Sequence, residues 1–337
     1  MTWPAGWLEE NLACPYDGES LTWTAASADC PRGHRLAVVH GVPVALRSDV
    51  APTHHLWRTT EADVDRFSRD GAAARAPSGD RLDPFVGRWL VGTCGKLYRR
   101  RSKALSRYPI PDLHLPEGEG RTFLDVGANW GRWSFAAARR GYRVIAVDPS
   151  LEAALAGTRI ARQLDLPVAF VVGDARNLPF RDDCFDTAFS YSVLQHLEKD
   201  VVRAALAEIG RVTRPGRTIR VQIANVLGAK QLLNHATEWI RLTAGRVAGR
   251  RRARYGFRVR PWTPREVMRT FSSILGPSVV SADGFFSLNA QPSDADLLSP
   301  AQRQVVRVSS TLCRLSERVP PLAHLADSLM VESTNAK

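Results

Sequence analysis

The chain predicts a doubly wound α/β domain with a mostly parallel sheet, and two observations carry that expectation. Between residues 120 and 225, short continuous apolar runs alternate with stretches of helical spacing. Each of the first four runs also closes on a glycine, an acid or a small polar residue, which suits strands whose carboxyl ends face a ligand. Continuous apolar runs mean strands covered on both faces. Strand–helix alternation implies parallel pairing through right-handed crossovers.

In chain order, residues 1–47 form a small module holding Cys14, Cys30, His34 and the apolar run LAVVHGVPVAL. Residues 48–84 are polar, contain Pro77, Ser78 and Gly79, and read as a linker with one short helix. The main domain follows over 85–337. FLDVGA at 123–128 is a buried strand, and GRWSFAAARRG at 131–141 a helix stopped by Gly141. RVIAVD (143–148), VAFVVGD (168–174), FDTAFSY (185–191) and TIRVQIAN (218–225) are further strands, with LEAALAGTRIARQLDL and VVRAALAEIGRV as intervening helices. Residues 226–325 read as a helical, substrate-side region. There Leu232, Leu233, Trp239, Ile240 and Leu242 have helical spacing beside an arginine run. RPWTPREVMRTFSSIL starts a helix at the N-cap Thr263, with Pro264 in its first turn and Glu266 completing a capping box. Residues 278–282 and about 327–334 are strand candidates, with helices at 299–317 between them.

Composition bounds the class. The 337 residues are 44% hydrophobic and 24% charged, ordinary for a folded chain able to bury a large core. No apolar run reaches the ~18 residues of a membrane span. The N-terminus has no basic-then-apolar pattern of a signal peptide, and five scattered cysteines do not make a disulfide framework. Together these features point to the cytoplasm. The net charge of +12 comes from 41 arginines and only five lysines. Two arginine-rich segments stand out, 95–107 and 241–260, and each is either a solvated face or a surface for an anionic partner.

The chemistry-bearing residues gather at predicted strand ends. Asp125, Gly127, Asn129 and Gly131 close the first strand, Asp148 the second, Asp174 the third, and Ser190 with Tyr191 the fourth. Glycines in such a turn let a ligand approach bare backbone. Asp148, 21 residues after Gly127, is placed to accept hydrogen bonds from ribose hydroxyls. A dinucleotide fingerprint would put glycines at 127, 129 and 132, where this chain has Gly127, Asn129 and Arg132, so that reading is disfavoured.

FLDVGANWGRWS, VIAVDPS, VVGDARNLPFRDDCFDTAFSYSVLQHL and RPGRTIRV, in that order, resemble the successive motifs of class I S-adenosylmethionine-dependent methyltransferases, most closely the type 11 group. The resemblance covers residues 120–225 and implies a Rossmann-like, seven-stranded sheet ending in an antiparallel pair. It implies that Asp125 and the Gly127–Gly131 turn face the methionine part of S-adenosylmethionine and that Asp148 holds the ribose. It also implies that Asp174 and the Ala175 backbone N–H read the adenine edge, with Ser190 or Tyr191 beside the sulfonium. Asn129 departs from the usual middle glycine, although asparagine tolerates a left-handed backbone better than most residues.

Methyl transfer needs a general base only when the acceptor must lose a proton. By position the candidates are His196 and Tyr191, each of which also has a purely packing role open to it. Glu198 reads as a helix N-terminal acid. The N-terminal segments LACPYDGESL and CPRGHRLAVVHGVPVAL resemble a zinc-ribbon-like module attached to some methyltransferases. One cysteine of that pattern is replaced by Asp17. A fold kept without metal is the leading reading, and zinc on Cys14, Cys30 and His34, with Asp17 as fourth ligand, is the alternative.

The expected function is methylation of a small or medium-sized acceptor of lipid, sugar or quinone-like type. An anionic substrate and contact of 229–260 with a membrane surface are compatible with the arginines. RNA methylation is the runner-up, and a non-catalytic binding partner the third reading.

Overall fold

The computed structural model describes residues 3–52, 59–79, 81–100, 105–228, 259–260, 262–286 and 289–337. The helix expected around Leu232–Leu242 and most of the arginine segment 241–260 lie outside the described residues.

The apolar runs form the strands β5 Thr122–Val126, β6 Arg143–Asp148, β7 Val168–Val172 and β8 Phe185–Tyr191, followed by β9 Thr213–Ala224, β10 Ser278–Gly284 and β11 Ser328–Thr334. The N-terminal module supplies β1 Thr22–Trp23, β2 Ser27–Asp29, β3 Arg35–Val39 and β4 Val42–Val44. All eleven form one sheet in the order β1-β2-β3-β4-β7-β6-β5-β8-β9-β11-β10. From β7 to β9 the pairing is parallel, and β11 runs antiparallel between β9 and β10. The strand order reverses at β5, which pairs with β6 on one side and β8 on the other. The carboxyl ends at such a reversal are where sheets of this kind hold ligands.

The strand ends agree closely with the sequence reading except at β9, which begins at Thr213 rather than 218. Its first residues pair with β8 across an irregularity between Phe185 and Thr187. Helices cover both faces. Helices α3 (Pro84–Cys94), α4 (Arg132–Arg139) and α5 (Leu151–Leu164) bury Phe85, Leu90, Phe135, Leu155 and Ile160 against Phe123, Phe170 and Phe189. On the other face α1 (Ala5–Asn11), α6 (Lys199–Val212) and α7 (Pro264–Leu275) bury Leu8, Leu206, Ile209 and Phe271 against Leu124, Ile145, Val171 and Ile219. The last helix, α8 (Pro300–Arg318), belongs to an insertion between β10 and β11.

Two boundaries look different in three dimensions. The N-terminal module extends the main sheet, because β4 pairs parallel with β7 through Val44 and Val172, and Ala45 N–H reaches the Val172 carbonyl at 2.7 Å. Polar residues 59–83 are also laid along α5 rather than strung freely. Helix α2 (Glu61–Arg69) is capped by Thr60, Arg159 Nε donates to Asp83 at 2.7 Å, and Gln163 Nε2 donates to the Gly79 and Arg81 carbonyls at 2.9 Å. A composition shift marks where the chain turns polar, and these residues find their partners across the fold.

Candidate functional site

The turn after β5 is held by both backbone and side-chain hydrogen bonds. Gly127 and Ala128 N–H both donate to the Val147 carbonyl, at 2.7 and 3.0 Å. Gly127, Asn129 and Gly131 have φ of 78°, 51° and 90°, so the left-handed backbone falls at every second position. A side chain at Gly127 would collide with Val193, whose Cγ2 lies 2.4 Å from where a Cβ would sit. Asn129 takes the place of a third glycine by tolerating this conformation, and its Oδ1 accepts the Trp130 N–H at 2.9 Å.

Asp148 ends β6 and accepts two backbone donors, Asn129 N–H at 2.8 Å and Ser150 N–H at 3.0 Å. The second strand's acid is thereby tied to the first strand's turn. Burial pushes its carboxyl up to about 6 against the lowering effect of those donors. Asp125 lies deeper, bonded by Ser134 Oγ at 2.6 Å. Burial is the main cause raising it to about 7, and neighbouring Asp148 adds to it.

The other expected residues divide. Asp174, just beyond β7, is engaged by Arg176, whose Nε and Nη2 donate at 3.0 and 2.6 Å. Ser190 is fully buried, and its hydroxyl donates to the Val126 carbonyl at 2.9 Å, fastening β8 to β5. Tyr191 reaches Asp283 Oδ2 at 2.7 Å while its ring packs on Trp133 with centroids 4.2 Å apart. His196 lies half-buried in a short turn, Leu194–His196, where its carbonyl accepts from Arg260 at 2.7 Å. Glu198 is the N-cap residue of α6 and pairs with Arg260. Sequence reasoning missed Ser134, Arg176 and Asp283. Only Arg176, two residues from an expected acid, left a local signal.

A cavity of about 940 Å³ opens beside Pro149 and Asp174, walled by Val44, Arg47, Thr60 and Tyr16. It meets the β6–β7 end of the rim, with the N-terminal module as its far wall.

A second cluster forms in that module. Cys14, Asp17, Cys30 and His34 offer ligand atoms that all lie within 4.8 Å of one another. Cys14 Sγ is 3.4 Å from His34 Nδ1, Cys30 Sγ 3.3 Å from Asp17 Oδ2, and His34 Nδ1 3.0 Å from that same oxygen. Tetrahedral zinc with sulfur and nitrogen or oxygen ligands requires edges of roughly 3.3–3.8 Å, so the two cysteine edges suit it while the 3.0 Å His34–Asp17 edge would have to open on metal binding. Arg32 N–H donates to Cys30 Sγ at 3.4 Å, a contact that steadies a thiolate.

Residues 123–216 match the family described as a methyltransferase domain. Over this stretch the chain is similar to methyltransferase domains. The stretch spans β5 to the start of β9, which contains the turn, Asp148, Asp174 and Tyr191. The domain's similarity extends to the demethylmenaquinone methyltransferase of Thermobifida fusca, 35% identical over 46% of this chain and 61% of that one. The malonyl-[acyl-carrier protein] O-methyltransferase of Serratia marcescens is 34% identical over 36% of this chain and 44% of its own length. A solved SAM-dependent methyltransferase from Methanosarcina mazei superposes with TM-score 0.46 at 17% identity, covering 67% of this chain and all of that one. The chain spans between about a third and three fifths of the curated relatives it matches.

The cofactor of such a domain is S-adenosylmethionine, and the donor set fits it. Each Asp148 oxygen accepts one backbone N–H, which leaves lone pairs for ribose hydroxyls. Asp125 places a carboxyl at the end of β5, and its charged form would suit an ammonium group. Asp174, held by Arg176, can still present acceptor capacity to an adenine amino group.

Proposed function

We propose that the chain transfers the methyl group of S-adenosylmethionine to a small or medium-sized acceptor of lipid, sugar or quinone-like type. The observation that carries the reading is the tie between Asp148 and the Asn129 N–H, which places two acids and the turn on one rim at the strand-order reversal. The names of the similar enzymes, acting on demethylmenaquinone and on malonyl-carrier protein, support a small acceptor.

The bound cofactor supplies a methyl group already carried on a good leaving group. The chain's residues then have three tasks. Asp148 fixes the nucleoside, Asp125 and the 127–131 turn fix the amino-acid end, and Trp133 with Tyr191 forms an apolar wall that excludes water. Positioning supplies most of the acceleration.

Calorimetric titration with S-adenosylhomocysteine tests the site: binding in the micromolar range is expected, and no heat of binding would sink the reading. Labelled cofactor supplied with separated extract fractions then identifies the acceptor class.

RNA is the second reading, favoured by the net charge of +12. Several arginines in the described parts of the two basic segments are already paired, Arg107 with Asp296 and Arg260 with Glu198, which weakens it. Steep loss of activity with added salt would restore it. For the N-terminal cluster we propose bound zinc with a structural role, since four protein ligands would close the site.

A further inference from the structure

Asp283 lies outside every motif so far described, yet it occupies the same rim. Strand β10 pairs Ala282 with Leu329 and Gly284 with Ser328, so Asp283 is the extra residue of a β-bulge at the carboxyl end of that strand. Bulges at such ends re-aim side chains toward sites. Its Oδ2 accepts both Tyr191 Oη at 2.7 Å and Ser328 Oγ at 2.9 Å. Tyr191 ends β8, and Ser328 begins β11, whose antiparallel course brings its start to the same rim. Oδ1 of Asp283 has no hydrogen-bond partner among the described residues.

Two neighbours link this group to the cofactor turn. Trp133, two residues after Gly131, packs on Tyr191, and Ser190 anchors the preceding residue of β8 to Val126, next to Gly127. Gln222 pairs in register with Tyr191, so the two share a face of the sheet. Gln222 is 3% exposed, and its Oε1 is buried with no partner. An unpartnered buried acceptor in register with Tyr191 is costly unless a ligand supplies a donor.

We propose that Asp283 is the catalytic base of the methyl transfer, taking the proton of a phenolic or enolic hydroxyl on the acceptor, with Tyr191 as its positioning residue and Gln222 facing the acceptor. The inference rests on the cofactor-site reading above. In the step, the acceptor O–H bond breaks and its proton passes to Asp283 Oδ1. The oxygen's electron pair forms the new O–CH₃ bond. The S–CH₃ bond breaks with its electron pair left on sulfur, so the cation becomes a neutral thioether. Burial holds the Asp283 carboxyl above the ordinary carboxylate range, opposed by the Tyr191 and Ser328 hydrogen bonds and the Arg220 charge. The raised value brings it nearer a phenol, at about 10, than an ordinary acid would be. Cys313 on α8 and Arg132 on α4 are the other ionisable groups facing this pair.

The test uses the full chain with labelled cofactor, a small-molecule and lipid extract, and a panel of simple phenols and catechols. The expected product carries its methyl on oxygen, and Asp283→Asn lowers kcat by about 10²–10⁴. Its affinity for S-adenosylhomocysteine stays within threefold of wild type. At saturating cofactor, where binding holds Asp125 and Asp148 charged, the wild-type kcat falls on the acid side as Asp283 protonates, and Asp283→Asn lacks that limb. Tyr191→Phe removes a donor to the carboxylate, so its acid limb moves to higher pH; a merely structural tyrosine would leave the limb in place. Should Asp283→Asn not fold, that shift decides. Methylation at nitrogen, carbon or sulfur overturns the proposal, as does activity of Asp283→Asn within threefold of wild type. Binding of the nucleoside with no acceptor labelled also overturns it while leaving the cofactor site standing. Failure of the wild type to bind the nucleoside sinks the earlier reading instead.

Discussion

Asp148 and Asp125 share an unusual condition, since burial raises the first to about 6 and the second to about 7 while a ligand of this site needs the charged forms. The sign of the linkage follows directly. A carboxyl with a raised folded pKa keeps a proton that the unfolded chain has lost. Its stabilising contribution is therefore complete below about pH 4 and is lost as pH rises through 6–7. Stability of the free protein from these two groups declines over that window. Nucleoside binding near pH 6 releases on the order of one to one and a half protons from the two groups. Calorimetry in buffers of different ionisation heat measures that release, and uptake instead of release would contradict the arrangement. Asn129 makes a different prediction. At φ 51° a β-branched residue is strained, so Asn129→Val costs about 1–3 kcal/mol in denaturant unfolding, while Asn129→Gly keeps binding within threefold. The acids at 125, 148 and 174 were legible because each ends an apolar run. Asp283 was not, because its position depends on a bulge in a strand pair separated by a long insertion.

Elements pack here with little tolerance. Gly157 on α5 faces Phe170 of β7, and an added Cβ would meet the ring at 2.1 Å. Alanine gains about 1 kcal/mol in helix propensity, but Phe170 is buried and has no room to move. Gly157→Ala therefore gives a net loss, with overpacking of about 1–3 kcal/mol outweighing propensity, read as a lowered Tm. The insertion between β10 and β11 is locked by one buried pair. Arg132, 3% exposed at the start of α4, reaches Asp294 at 3.2 Å and donates to the Pro109 and Asn289 carbonyls at 2.8 and 2.7 Å. Arg132→Ala leaves Asp294 buried without its cation, and thermal unfolding should show a loss of about 3–5 kcal/mol. The helix starts were readable in the chain: Thr263 and Glu266 form the expected reciprocal cap, at 3.2 and 2.9 Å. Nothing local told that Arg132, which merely spoils a dinucleotide fingerprint, anchors residues more than 150 positions away.

Across the whole molecule the N-terminal module covers the edge of β7 that would otherwise present unpaired backbone. Its Cys14–Asp17–Cys30–His34 cluster lies between two turns of the module, so a metal bound there would contribute directly to its folding. Metal analysis of the purified chain should give about one zinc per molecule, and Cys30→Ser or strong chelation should lower Tm while exposing the edge to proteolysis. A content below a tenth of an equivalent with unchanged Tm would show a ribbon held without metal. What the sequence alone determined was the alternating order of strands and helices and the acids at their ends, because these follow from periodicity and short spacing; the four residues of the N-terminal cluster were named through a resemblance. Tertiary structure alone decided that the ribbon continues the sheet, that polar residues 59–83 are bound to α5, that Arg176 holds Asp174, and that Asp283 joins the rim. Each of these depends on hydrogen bonds or pairings between distant segments. The chain carries no local mark of them, since free energy of that kind exists only once the partners are brought together.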